Sequence, residues 1–256
     1  MDLAASSVIM RRVYGTMVLL PLVFAVWYDQ KTAGFVLMFL ALFMGIEAKR
    51  ITKMPTITGY LVAGLILAQS MPLWLIDRPS AAVIVFALFG AATVFFEVKK
   101  LTVAIFIGLL SVCLGYASFL LSQPSGHVML IALAAIISAC DIAAYFVGKR
   151  VGGPKLWQQV SPNKTVSGSV GGLVAAIGVT MVLGDIFGIA DKRDALIAGV
   201  SFGILAQAGD LLESAIKRCL SVKDSGSILL GHGGVLDRFD GYIFVVPAFY
   251  LYFFGM

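Results

Sequence analysis

Apolar residues neither alternate along this chain nor keep to one helical face. They run on in blocks, interrupted by short clusters of Lys, Arg, Asp, Pro and Gly. Nine such blocks stand near 12–28, 33–48, 57–76, 79–97, 101–121, 127–148, 167–188, 194–212 and 241–256, the second and last being the short ones. A bilayer core takes about 20 apolar residues of helix, with about 17 as a workable minimum. Membrane-spanning strands would alternate in pieces of about ten residues, whereas these blocks are apolar all round and rich in Leu, Ala, Gly and Phe. The pattern predicts an all-α polytopic membrane protein of about nine transmembrane helices.

Composition agrees: 60% of the 256 residues are hydrophobic, 13% are charged and mean hydropathy is +0.97, far from soluble usage. Basic residues gather at the N-terminus (Arg11, Arg12) and on alternate connections: Lys49, Arg50 and Lys53; Lys99 and Lys100; Lys149, Arg150, Lys155 and Lys164; Lys217, Arg218, Lys223 and Arg238. Only Lys31, Arg78, Lys192 and Arg193 fall on the other connections. The bias predicts a cytoplasmic N-terminus and a C-terminus across the membrane, as in a bacterial inner membrane. The net charge of +5 suits anionic headgroups or an anionic soluble substrate, although topogenesis alone also explains the first three clusters. Arg11 and Arg12 before an apolar run resemble a signal peptide, but no small-residue cleavage site follows and Pro21 sits within the run, so an uncleaved first span is expected. Cys113, Cys140 and Cys219 have no metal spacing and read as packing residues. His127 reads as an interfacial residue.

Only two connections are long, Lys149 to Val166 and Glu213 to Asp240, and neither can enclose a core of its own. The expected organisation is a five-helix scaffold, 1–126, which also offers a homodimer contact. A four-helix catalytic region, 127–256, follows with cytoplasmic loops 149–166 and 213–240. Small-residue spacing from Gly168 to Gly172 permits close helix packing, within the chain or between copies.

Acidic residues in membrane helices are costly, about 2.5–3.5 kcal/mol on insertion scales, and need a purpose or a partner. Asp185 is explained by a helix end. Asp141 and Asp210 lie towards the cytoplasmic ends of their blocks, and Asp237 and Asp240 stand at the cytoplasmic start of the last. If the eighth helix continues, Asp210, Ser214, Lys217 and Arg218 share a face; Ser138 and Tyr145 lie on the side of Asp141. Intramembrane ion pairs that tie helices together are the plain alternative. Carboxylates beside Lys and Arg also suit Mg²⁺ and phosphates held together, with hard oxygen ligands for the cation and charged donors for the phosphate. Gly231-His232-Gly233-Gly234 lets backbone N–H groups approach a phosphate, a weak signal alone. There is no GxxxxGK[ST], HExxH, GxSxG or Rossmann fingerprint.

Ser214-x-Ile216-Lys217-Arg218, Lys223-Asp224-x-Gly226 and His232-Gly233-Gly234-x-x-Asp237-Arg238-x-Asp240 together resemble the C-terminal signature of phosphatidate cytidylyltransferases, also called CDP-diacylglycerol synthases. Asp141-x-x-Ala144-Tyr145-x-x-Gly148, Ser161-Pro162-x-Lys164-Thr165-x-x-Gly168 and Gly209-Asp210-x-x-Glu213-Ser214 are similar to family segments in the same order. The resemblance covers Asp141 to Asp240; the first five blocks match in hydrophobic character only. Leu230 departs from the Pro usual before Gly-His-Gly-Gly, which puts the stiffness of that turn in doubt.

The resemblance implies an integral membrane nucleotidyltransferase in phospholipid biosynthesis, joining CTP and phosphatidic acid into CDP-diacylglycerol and pyrophosphate with Mg²⁺ and a second, monovalent cation. On it, Asp210 and Asp237 are expected to ligate Mg²⁺, with Asp240 and Asp141 in support. Lys217, Arg218, Lys223 and Arg238 are expected to take phosphate and pyrophosphate, and Ser161, Lys164, Ser214, His232, Gly233 and Gly234 to add hydrogen bonds. CTP, phosphatidic acid and membrane lipids are the expected partners, with no nucleic acid. The rival classes are a CTP-dependent lipid-alcohol kinase, which releases CDP, and a transporter, which needs polar residues through the midplane.

Overall fold

A computed structural model describes residues 21–188, 191–226 and 234–254, apart from 56, 58, 61, 65–87, 89, 93, 94 and 96–100. Its elements are α1 (Gln30–Thr52), α2 (Leu101–Ser122), α3 (Gly126–Val151), β1 (Lys155–Trp157), β2 (Ser161–Thr165), α4 (Val166–Phe187), α5 (Lys192–Cys219), α6 (Leu236–Phe239) and α7 (Tyr242–Phe254). The protein is mostly helical, and α1 to α5 are the five helices long and apolar enough to cross a membrane among the described residues. The expected blocks 33–48, 101–121, 127–148, 167–188 and 194–212 fall on these five. The 12–28 block is described only from residue 21, and most of 57–76 and 79–97 lies outside the described residues. The 13-residue α7 is about 20 Å long at 1.5 Å per residue, short of a bilayer core of about 30 Å.

One connection expected as a loop is ordered. Within 149–166, β1 and β2 form an antiparallel hairpin, pairing Lys155 with Thr165 and Trp157 with Ser161 across an irregular register. Its strands of three and five residues are too short to carry a period-2 signal, and an isolated hairpin of that size is marginal in water. Support comes from α4, against whose start both strands pack. Thr165 ends β2 and also caps α4, accepting from the Gly168 N–H at 3.1 Å.

The chain divides into two compact units. The first holds the described residues up to Ile131 together with Cys219–Phe239. Its centre is α2, buried on most sides through Phe106, Ile107, Leu110, Phe119 and Leu120 and packed against α1. A helix apolar all round belongs inside. Asp29 caps α1, accepting from the Lys31 N–H at 3.1 Å, and Lys49 and Arg50 occupy its last turn, where cations complement the helix dipole.

The second unit, Ala132–Arg218 with Asp240–Met256, is assembled by small residues. The buried stripe of α4 is Gly168, Gly172, Ala176 and Thr180, every fourth residue and therefore one face. A Cβ on Gly172 would stand 2.8 Å from the Cys140 carbonyl of α3, and one on Gly168 2.6 Å from that of Ala144. From α5, Gly199 and Gly203 approach the same helix at Ile177, Thr180, Leu173 and Ala176. The opposite face exposes Val170, Val174, Val182 and Ile186. Small residues inside and large apolar ones outside suit a helix whose solvent is lipid. The Gly168 and Gly172 pair therefore serves packing within the chain.

Candidate functional site

The second unit contains a cavity of about 650 Å³ whose wall includes Asp141, Tyr145, Lys149, Lys155, Lys164 and Asp210. Three elements deliver these groups: α3 carries Asp141 to Lys149, the hairpin brings Lys155 and Lys164, and α5 supplies Asp210. Lys164 makes an ion pair with Asp210, and Ser214, one turn further along α5, donates to the other Asp210 oxygen at 3.4 Å. At the back, the Ser169 hydroxyl donates to the Gln207 side-chain oxygen, and the Gln207 amide returns a bond to the Ser169 carbonyl at 3.1 Å. This exchange ties α4 to α5 beside the cavity.

Asp240 joins the acidic side of the same unit because the backbones come very close. Gly209 of α5 leaves no room for a Cβ against the Asp240 carbonyl, and Gly241 packs at Ile137 of α3. Burial, then the like charges of Asp210 and Glu213, push the Asp240 carboxyl up to about 8; the Gly241 N–H, 2.7 Å from its oxygen, opposes the shift and Asp141 adds to it. Carboxylates crowded this way favour a bound cation or a proton. Among the described residues no group of three or more His, Cys, Asp or Glu stands close enough to enclose a metal ion. The carboxylate oxygens of Asp141, Asp210 and Asp240 are hard donors, the ligand type that Mg²⁺ takes.

Two expected phosphate ligands have internal partners. Lys217 pairs at 3.0 Å with Glu213, which is 1% exposed, the i,i+4 spacing placing both on one face. The Arg218 Nε donates to the Val160 carbonyl at 3.3 Å, holding α5 to the hairpin turn. Ser161 is half-buried at the start of β2.

In the first unit, Asp237 is the second residue of α6 and accepts from the Ser225 N–H at 3.1 Å and the Gly234 N–H at 2.8 Å. Lys223 and Arg238 are exposed. His232 and Gly233 lie outside the described residues. Glu47 of α1, not singled out from sequence, is 1% exposed and accepts from the Leu236 N–H at 2.9 Å. A lone Glu in an apolar block was its only signal. Lys149 of α3, Lys155 and Asn163 also line the cavity; none of the three was singled out as a ligand from sequence, although the 149–166 connection was expected to help hold one.

Helices long and apolar enough to cross a membrane and, in the second unit, a cavity walled by both basic and acidic side chains define the class as a polytopic membrane protein with a charged cavity. The chain belongs to the cytidylyltransferase family, whose model matches residues 9–255. It is similar to the phosphatidate cytidylyltransferase of Bacillus subtilis (strain 168), 48% identical over 120 residues that make up 45% of this chain and 43% of the relative. It also resembles those of Brucella suis biovar 1 (41% over 130 residues; 51% and 48% of the two chains) and Staphylococcus haemolyticus (40% over 138 residues; 52% of each). The chain spans about half the length of the curated relatives it matches.

Proposed function

We propose that this protein transfers the cytidylyl group of CTP to phosphatidic acid, forming CDP-diacylglycerol and releasing pyrophosphate. The observation that carries the reading is the family match over residues 9–255. The cavity wall holding Lys149, Lys155, Lys164, Asp141 and Asp210 supports it.

The lipid phosphate attacks the α-phosphorus of CTP, and the bond from that phosphorus to the β-phosphate bridge breaks. Two anions must be brought together first, so neutralisation and alignment are most of the catalytic task. The nucleophile is already anionic and needs no strong general base. Lys164, beside Asp210, is placed to exchange its carboxylate partner for a phosphate oxygen, and Lys149 and Lys155 add positive charge to the same wall. Ser214 orients Asp210. Asp210 and Asp237 are the residues proposed to hold Mg²⁺, supported by Asp240 and Asp141; a second, monovalent cation is proposed beside it. The metal, when bound, supplies charge neutralisation on the triphosphate.

The remaining assignments belong to the same proposal: about nine spans, a cytoplasmic N-terminus, an inner-membrane location and a site at the cytoplasmic helix ends. There the lipid phosphate enters sideways from the leaflet while CTP arrives from the cytosol. The division into a 1–126 scaffold and a 127–256 catalytic region, and homodimer formation, are proposed with them.

Purified protein supplied with Mg²⁺, CTP and phosphatidic acid in mixed micelles tests the reading. CDP-lipid and pyrophosphate in equal amounts are expected. Release of CDP with a phosphorylated lipid alcohol would instead identify a kinase, and no turnover with any lipid would refute an enzymatic role.

A further inference from the structure

Scaffolding is all the sequence suggests for α1, yet Glu47 reaches from it into the segment that carries the family signature. Its Oε2 accepts from the N–H of Leu236, the first residue of α6, at 2.9 Å and from the Ser225 hydroxyl at 3.4 Å. Asp237 meanwhile accepts from the Ser225 and Gly234 N–H groups. Ser225 is thus bonded to both carboxylates, and the two ends of the 225–236 segment are drawn together at one neck. A Cβ on Gly226 or Gly234 would collide with the Glu47 carboxyl, so both glycines make room for it. Burying a carboxylate is costly unless its bonds are put to use, and a helix needed only for packing would carry Leu or Ala here.

We propose that Glu47 is a positioning residue: it holds Ser225 and Leu236 together at one neck and so sets where Asp237 stands during cytidylyl transfer. The catalytic half of this inference rests on the function proposed above; the closure of the neck does not. Glu47 acts through the loop and touches no reacting atom. A carboxamide at position 47 retains an oxygen that accepts both bonds, whereas a methyl group retains none.

The test uses the full chain in nanodiscs as wild type, Glu47→Gln, Glu47→Ala and Gly226→Ala. Turnover and KM for CTP are measured beside hydrogen exchange over residues 220–239. Glu47→Ala should lower kcat about 100-fold, the scale on which small misplacements act, and speed exchange at 225–226 and 234–236. Glu47→Gln should stay within about fivefold of wild type, the loss expected when charge-assisted bonds become neutral ones. Gly226→Ala, which leaves both carboxylates in place but crowds Glu47, should also speed exchange at the neck, and it serves the test if Glu47→Ala does not fold. Glu47→Gln as inactive as Glu47→Ala, or unchanged neck exchange in the variants that fold, would overturn the proposal. A wild type that forms no CDP-lipid overturns the proposed function instead, while the exchange comparison still decides whether Glu47 closes the neck.

Discussion

Replacing Gly172 by Ala tests the small-residue assembly of the second unit without reference to any activity. The added methyl would lie 2.8 Å from the Cys140 carbonyl and 3.1 Å from both the Ala144 Cβ and the Cys140 sulfur, with rigid helix on two of three sides. Overpacking of this kind costs about 1–3 kcal/mol. Removing a mid-helix glycine returns about 0.5–1 kcal/mol, so a net loss of roughly 1 kcal/mol is expected. Gly178, on the same helix, has nothing within 4 Å of its added Cβ, so Gly178→Ala gains about 0.5–1 kcal/mol with no opposing clash. The variants should differ by about 2 kcal/mol, which corresponds to roughly 4–8 °C in Tm for a chain of this size. Thermal unfolding in one detergent, followed by dye binding to freed cysteines, reads the difference. Gly172→Ala matching or exceeding Gly178→Ala would refute the close α3–α4 contact.

Asp210→Asn should remove CDP-lipid formation in membranes while leaving expression intact; retained turnover would take Asp210 out of the proposed metal site. Lys217→Met withdraws the cation 3.0 Å from buried Glu213 and should cost about 3 kcal/mol, as breaking one side of a buried pair does; Lys217→Met with Glu213→Leu should recover most of the lost Tm, and a double variant no more stable than the single would contradict the pairing. Asp240 binds its proton more tightly folded, near 8, than unfolded, near 3.8, so the stabilisation from this group is complete below about pH 4 and lost as pH rises towards 8. In EDTA, the fall in Tm across that window should be larger for wild type than for Asp240→Asn, and equal slopes would refute the shift.

How much of this could be read from residues alone follows from what each feature depends on. Five helices long and apolar enough to cross a membrane were legible because length and continuous apolarity are written in consecutive positions such as 101–121. The sequence led to an expected meeting of Asp141, Asp210, Asp237 and Asp240, from placing helix ends on one side at one depth. Within the second unit Asp240 stands near Asp210 and Asp141, while Asp237 belongs to the first unit. The hairpin at 155–165 was not legible, since three- and five-residue strands leave no period and owe their order to contact with α4. Nor was the internal pairing of Lys217 with Glu213, which competes with the phosphate role that the resemblance implied.

Glu47 marks the boundary most clearly. By itself the sequence determined a helical membrane protein of the cytidylyltransferase family and a polar C-terminal segment, because apolar length and motif spacing are local properties. Only the tertiary structure decided that a carboxylate from α1 ties Ser225 to Leu236, that the α4 glycines face α3 rather than a second copy, and that Lys164 stands against Asp210. Each of these depends on which backbones approach within a few ångströms, and that is set by packing between segments far apart in the chain.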